Sequence, residues 1–226
     1  MIFIIYEYFL VVFFPLMYFL LKGLKSIDFK FFYDNSLKSF LLAILVSVLY
    51  CFVDLIFTTS YKQIPDNFLW NLGYFYLFDF FIPFALGFLL IIIASRKTMY
   101  HKVLTILPFF LGFYSIFIPY NCLLKYEVTD MFLLFVKPTI FFAMIFSVWV
   151  LLYLFSKAVK SHASVGYKIL YIFLAILISV IPASLETLNF LKILAIVKIP
   201  LMVLTYLVAI FLFLVFISKS KPEEIV

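Results

Sequence analysis

Charged residues are scarce in this chain, and their scarcity excludes most classes of soluble protein. Of its 226 residues, only 12% are Asp, Glu, Lys or Arg, whereas 68% are hydrophobic. Soluble domains average about 25% charged and about 45–50% apolar residues. A mean hydropathy of +1.25 is far above that range, so the sequence predicts an integral membrane protein. Its apolar runs are continuous rather than alternating, which excludes an outer-membrane barrel.

Reactive side chains and common site motifs are also few. The only histidines, His101 and His162, fall in predicted loops, which excludes a bis-His haem within the bilayer. The chain has no CxxC, HExxH or GxxxxGK[ST] pattern, and we expect no cofactor and no metal. Its two cysteines, Cys51 and Cys122, fall near one predicted membrane face, which leaves both a disulfide and two separate apolar-like thiols open.

Glycine is rare as well, with only five in the chain, so we expect helices that pack through bulky side chains. Long apolar runs dominate what remains, and a membrane-crossing helix needs about 20 such residues. Seven segments qualify: Ile2–Leu21, Ser39–Phe57, Gly73–Ser95, Val103–Tyr120, Asp130–Phe155, Lys168–Thr187 and Phe190–Ile217. Residues 1–226 therefore read as one all-α domain, a polytopic membrane helix bundle of about seven transmembrane helices with short connections. An amphipathic patch, Ile27–Phe32, lies in the first long connection and is typical of a segment in the headgroup plane.

The basic residues predict the orientation of these segments. Twelve of the 17 lysines and arginines fall in alternate loops and the C-terminal tail, and only Lys62, Lys125 and Lys192 fall in the opposite set. Because positive residues are retained on the cytoplasmic side, we expect the N-terminus outside and the C-terminus inside. The net charge of +6 lies in those short loops, so topology explains it better than a nucleic-acid partner does. We expect membrane lipids as partners and the bacterial inner membrane as the location.

Seven ionisable residues interrupt the predicted spans, all in the outer halves: Glu7, Asp54, Asp79, Lys137, Glu186, Lys192 and Lys198. Charge at a helix centre costs at least about 2.5–3.5 kcal/mol, so such residues usually pair, line a wet cavity or carry function. Six of them form our candidate substrate-binding or ion-binding cavity: Glu7, Asp54, Asp79, Lys137, Glu186 and Lys198. We expect no catalytic residue among them.

Structural roles for the same residues stay open. Glu186 and Lys192 also fit the interface of a helical hairpin, and a buried ion pair that fixes helix register would account for Asp79 with Lys137 or Lys198. Prolines stand beside three of the charges, and each proline removes a backbone hydrogen bond from its helix: Asp79 with Pro83, Lys137 with Pro138, and Lys198 with Pro200.

Three functions fit this pattern. A small transporter or permease component with an outward-facing polar cavity agrees best with polar outer halves and apolar inner halves. An accessory or structural subunit of a larger membrane complex agrees with the small size and the aromatic, glycine-poor composition. A membrane-embedded lipid enzyme using paired carboxylates is the third, and no motif favours it.

Overall fold

The computed structural model describes residues 29–60, 67–94, 99–121, 131–193 and 195–219, and the regular structure within those ranges is entirely helical. Its elements, in chain order, are α1 (Phe29–Ser60), α2 (Phe68–Phe75), a π-helical turn (Tyr76–Phe81), α3 (Ile82–Ala94), α4 (Met99–Tyr120), α5 (Met131–Lys160), α6 (Val165–Phe190) and α7 (Ala195–Lys219). The predicted first span, Ile2–Leu21, lies outside the described residues.

Within the described ranges, five helical segments are long and apolar enough to cross a membrane: Leu37–Ile56, Phe68–Ile91, Val136–Lys160, Val165–Phe190 and Ile196–Phe216. A shorter apolar helix, Thr105–Tyr120, accompanies them. The prediction of a helical, multi-pass integral membrane protein is therefore confirmed.

The structure differs from the predicted helix ends at two places. Helix α1 begins at Phe29 and continues without a break to Ser60, so the described part of the Ile27–Phe32 patch is helical although it falls in a predicted connection. The last predicted span began too early, since Phe190 ends α6. A turn follows it, in which Lys192 takes the left-handed backbone conformation (φ 54°) that ends a regular helix.

The chain divides into two compact units. Unit 1 comprises Met1–Lys62, Thr105–Phe142 and Ser220–Val226, and unit 2 comprises Gln63–Leu104 and Ala143–Lys219. Helix α5 contributes residues to both units.

In unit 1, α1 and α4 pack side by side and run in the same direction. The Ser39 hydroxyl donates to the Thr105 carbonyl at 2.9 Å, and the Ser47 hydroxyl donates to the Phe113 carbonyl at 2.8 Å. The sequence separation is 66 residues in both bonds, which only parallel helices in constant register produce. Gly112 permits the close approach, because a Cβ atom there would collide with the backbone of α1.

Helix α1 turns its polar face inward and its apolar face outward. Ser39, Ser47 and Asp54 are buried, whereas Leu45 is 64% exposed. The exposed apolar residues recur along one face of the helix: Leu41, Leu45, Leu49, Phe52 and Ile56. Water would oppose this arrangement and acyl chains favour it, so the burial pattern agrees with a membrane environment.

In unit 2, α6 packs against α2, the π-helical turn and α7. Aromatic contacts also connect α5 with α7, where Phe146 meets Phe213 with ring centroids 5.8 Å apart and Trp149 meets Phe216 at 5.1 Å. The second contact lies three residues after the first on both helices, so α5 and α7 run parallel.

Candidate functional site

The structure buries most of the ionisable residues predicted for the cavity. Four of them are between 2% and 5% exposed: Asp54, Asp79, Lys137 and Glu186. Lys198 is half-buried and Lys192 is exposed. Glu7 lies outside the described residues. Asp54 and Lys137 belong to unit 1, and the other buried members belong to unit 2.

Asp79 lies within the π-helical turn Tyr76–Phe81. Pro83, four residues later, has no N–H to donate to the Asp79 carbonyl, so regular α-helical bonding fails at this point. The backbone N–H of Ile82 instead bonds to the carbonyl of Leu77, five residues earlier. Such turns redirect the side chains that follow and are frequent at functional sites. The sequence predicted a break beside Asp79, and the structure forms it as this π-helical turn.

Glu186 lies on the face of α6 that packs against the helix carrying Asp79. Two contacts mark that face: the Ser179 hydroxyl donates to the Tyr76 hydroxyl at 3.3 Å, and the rings of Phe190 and Phe75 have centroids 6.2 Å apart. At 3.6 residues per turn, Glu186 falls on the same side of α6 as Ser179 and Phe190 and lies between them. The Glu186 carboxylate is therefore an internal group of unit 2.

Asn71 and Asp79 extend the same interface from the opposite helix. Asn71, Phe75 and Asp79 follow at four-residue intervals, and all three are buried. Phe75 contacts α6 directly. One amide and two carboxylates thus belong to the facing surfaces of two packed helices in unit 2.

Lys198 lies near the start of the last described helix of unit 2. Helix α7 begins at Ala195, which places Lys198 in its first turn rather than well inside a span. Its Nζ donates to the Asn189 side-chain oxygen at 2.9 Å. This bond connects the end of α6 with the start of α7, so Lys198 stabilises the helical hairpin that these two helices form. The predicted contact of Asp79 with Lys137 or Lys198 stays a prediction.

In unit 1, the Lys137 ammonium group lies over an aromatic ring. Its Nζ lies 5.6 Å from the centroid of the Phe141 ring, one helical turn further along α5. The Phe141 ring in turn contacts Tyr114 of α4, with centroids 5.4 Å apart. The ring face lowers the cost of burying the ammonium group, since cation–π attraction contributes about 2 kcal/mol when the pair is desolvated.

Sequence reasoning missed two fully buried amides, Asn71 and Asn121, each 0% exposed. A search for charges alone passes over them, although an isolated asparagine within an apolar run is itself a signal. Neither side-chain polar atom of Asn121 has a hydrogen-bond partner among the described residues. Burying an amide in that state costs about 1–3 kcal/mol by mutational measures, so Asn121 marks a place where a polar partner would be stabilising.

In the described ranges, no group of three or more His, Cys, Asp or Glu residues lies close enough together to hold a metal ion. Cys51 is buried in α1. Cys122 lies outside the described residues, so the choice between a disulfide and two separate thiols stays open.

Fold and site together define a class: a multi-pass helical membrane protein with carboxylate, ammonium and amide groups buried among its spans. No protein-family model, no curated protein and no solved structure matches this chain. The function must therefore be argued from the residues themselves.

Proposed function

We propose that the protein is a small transporter, or the membrane component of a permease, in the bacterial cytoplasmic membrane. The observation that carries this proposal is the burial of Asp54, Asp79, Lys137 and Glu186, none more than 5% exposed, within helices of membrane-spanning character. Ionisable residues inside membrane segments typically mark substrate, ion or proton pathways.

The pair of helices that carries Asp79 and Glu186 supplies the features that a transport site needs. Facing carboxylates bind a cation or take up a proton, and the Asn71 amide adds a neutral donor and acceptor. The π-helical turn beside Asp79 leaves this helix less regular than its neighbours. Interrupted helices are a recurrent element of transporter binding sites, because their freed backbone groups also coordinate the substrate.

The proposal includes seven spans with the N-terminus outside and the C-terminus inside. Strict alternation requires α1 and α4 to be parallel, and likewise α5 and α7. The register of the hydroxyl–carbonyl bonds supports the first pair, and the aromatic contacts support the second. A periplasmic phosphatase fused after Val226 should remain in the cytoplasm and be inactive. A green fluorescent reporter fused at the same position should fluoresce. An active phosphatase at this position would reject the orientation.

Transport is tested with purified protein in proteoliposomes. Currents on a solid-supported membrane are recorded while amino acids, sugars, amines and metal salts are exchanged rapidly over the sample. We expect a current for at least one solute, and its loss in Asp79→Asn and Glu186→Gln. Lys192→Gln is the matched control, because it removes an exposed charge from the same predicted side. Currents that persist in both carboxylate variants would reject a transport role for this pair.

An accessory subunit is the second candidate, and the exposure of α7 favours it. Only 17% of the Ile196–Phe216 segment is buried, which leaves a broad apolar face for lipid or for another subunit. Purification separates the two functions. A transporter should remain monodisperse alone in detergent, whereas a subunit should co-purify with a defined membrane partner at fixed stoichiometry.

A further inference from the structure

Three of the buried polar residues of unit 1 come from three different helical segments. Asp54 belongs to α1, Asn121 follows the last residue of α4, and Lys137 belongs to α5. They are 3%, 0% and 5% exposed, respectively. The packing register of the three helices fixes how these residues stand relative to one another.

Asp54 and Asn121 stand at the same level on parallel helices. The Tyr50 ring of α1 contacts the Phe117 ring of α4, with centroids 5.6 Å apart. Asp54 lies four residues beyond Tyr50, and Asn121 lies four residues beyond Phe117. Both are therefore one turn past the same contact, about 6 Å along their axes. Residues four apart share a helix face, so the two side chains occupy the continuation of the α1–α4 interface.

Lys137 approaches the same level from α5. Only nine residues separate Asn121 from the start of α5, and connections this short typically join neighbouring helices that run antiparallel, which is the direction taken for α4 and α5. Measured from the Tyr114–Phe141 contact, Lys137 lies about 6 Å and Asn121 about 10.5 Å toward the same end of the bundle. The difference of about 4.5 Å is within reach of a four-carbon lysine side chain that points toward the start of its helix.

The buried amide is the second, independent sign of a ligand at this level. Both polar atoms of Asn121 lack a hydrogen-bond partner among the described residues, although the side chain is completely buried. A backbone acceptor is expected at the same level: Pro138 has no N–H to donate to the carbonyl of Leu134, which lies as far from the Tyr114–Phe141 contact along α5 as Asn121 does along α4. An amide donor, an amide acceptor and a carbonyl therefore share a level of the helices with one carboxylate and one ammonium group.

We propose that Asp54, Asn121 and Lys137 form a binding site for a zwitterion that carries an ammonium and an anionic group. The Asp54 carboxylate receives the ammonium group, the Lys137 ammonium receives the phosphate or carboxylate, and the Asn121 amide bonds to either end. A ligand with only one charge is disfavoured, because it would complement the charge of one side chain and leave the charge of the other without an opposite charge on the ligand. This inference rests on the proposed transport function and names its substrate class.

Two sources supply this chemistry: a soluble zwitterion and the headgroup of phosphatidylethanolamine. The purified full-length chain in detergent is titrated calorimetrically with phosphoethanolamine, and separately with ethylamine and inorganic phosphate, which each carry one half of its charge. In parallel, the chain in nanodiscs of phosphatidylethanolamine is compared with the chain in nanodiscs of phosphatidylglycerol by thermal unfolding.

We expect phosphoethanolamine to bind and its two halves to bind at least about tenfold more weakly, which corresponds to one hydrogen bond to a charged group. Asn121→Leu should lower the affinity by a similar factor while raising the melting temperature without ligand, because the unsatisfied amide is gone. Asn121→Ala serves if the leucine does not fit. Ser115→Ala is the matched control, since among the described residues that buried hydroxyl bonds within its own helix α4, to the Gly112 carbonyl at 2.7 Å. Stabilisation in phosphatidylethanolamine without binding of free phosphoethanolamine would assign the lipid as the source.

Equal binding of a single-charge probe, unchanged affinity in the Asn121 variants, or no response to any probe in either format would overturn the site. Solute currents that survive Asn121→Leu and do not involve a zwitterion would leave the transport function standing while this inference fails.

Discussion

Gly112 is the closest point between α1 and α4, and its replacement by alanine tests the packing of unit 1 directly. A Cβ atom at this position would lie well inside van der Waals contact with the Phe40 carbonyl oxygen, and at 3.0 Å from the Ala43 side chain. The oxygen belongs to the backbone, so no rotamer change relieves the collision. The helices must separate or bend to admit one methyl group.

The size of the effect follows from three terms. Overpacking a well-packed interface costs about 1–3 kcal/mol. Separation also lengthens the interhelix hydrogen bonds of Ser39 and Ser47, which are worth about 0.5–1.5 kcal/mol each. Alanine favours a helix over glycine by about 0.8–1.0 kcal/mol, which offsets part of the loss. We therefore expect Gly112→Ala to lower the free energy of unfolding by about 2 kcal/mol.

The measurement is reversible unfolding in mixed micelles, followed by circular dichroism, for matched glycine variants. Gly73→Ala is the control: a Cβ atom there meets nothing within 4 Å, so we expect a gain of about 0.5–1 kcal/mol. Combining Gly112→Ala with Ala43→Gly should recover only part of the stability, because the collision with the Phe40 carbonyl remains. A Gly112→Ala protein as stable as the wild type, beside a Gly73→Ala control that behaves as expected, would refute the close α1–α4 contact.

Three further predictions concern unit 2. Asp79→Asn should keep the melting temperature of the wild type and lose solute currents; a loss of about 3–5 kcal/mol, restored by adding Lys137→Met or Lys198→Met, would show a structural ion pair instead. Pro83→Ala should restore a backbone donor and convert the π-helical turn to regular helix, raising the melting temperature and abolishing currents, whereas unchanged currents would separate the turn from function. Asn189→Leu and Lys198→Met should each lower the unfolding free energy by about 1 kcal/mol, because each removes the same hydrogen bond. The double variant should therefore lose no more stability than either single variant. Additive losses would contradict that bond.

The sequence predicted the membrane class and the positions of most helices because apolar composition is a local property. The predicted span Ser39–Phe57 falls within α1, and Lys168–Thr187 falls within α6. The ends were less accurate, since composition marks the hydrocarbon layer and not the last hydrogen bond of a helix. Helix α1 therefore extends back to Phe29, through residues that the composition assigned to a connection.

The candidate site was predicted only as a set of residues. Depth along a span follows from counting, and the cost of charge in lipid favours burial; the structure buries Asp54, Asp79, Lys137 and Glu186, including Glu186, for which the sequence also allowed an interfacial position. Which of them share a unit depends on helix packing, which no local pattern encodes. The depth of Lys198 depends on packing too, because the hairpin turn that precedes α7 places this residue in the first turn of the helix.

The desolvation cost of the buried ionisable residues favours a functional role for them over a purely structural one. Along α1, hydroxyl groups such as that of Ser47 already join the helices through neutral hydrogen bonds, which demand much less desolvation than an ion does. Replacing a buried ion pair with apolar residues of similar volume is often neutral or stabilising, so packing alone gives little reason to retain one. A chain with so few charges nevertheless places both signs inside its membrane helices. In unit 1 it adds a completely buried amide whose hydrogen-bonding capacity the described residues leave unused. A polar ligand would use both the charges and the hydrogen-bonding capacity of the buried Asn121 amide. A structural ion pair by itself would explain the charges but not the buried amide.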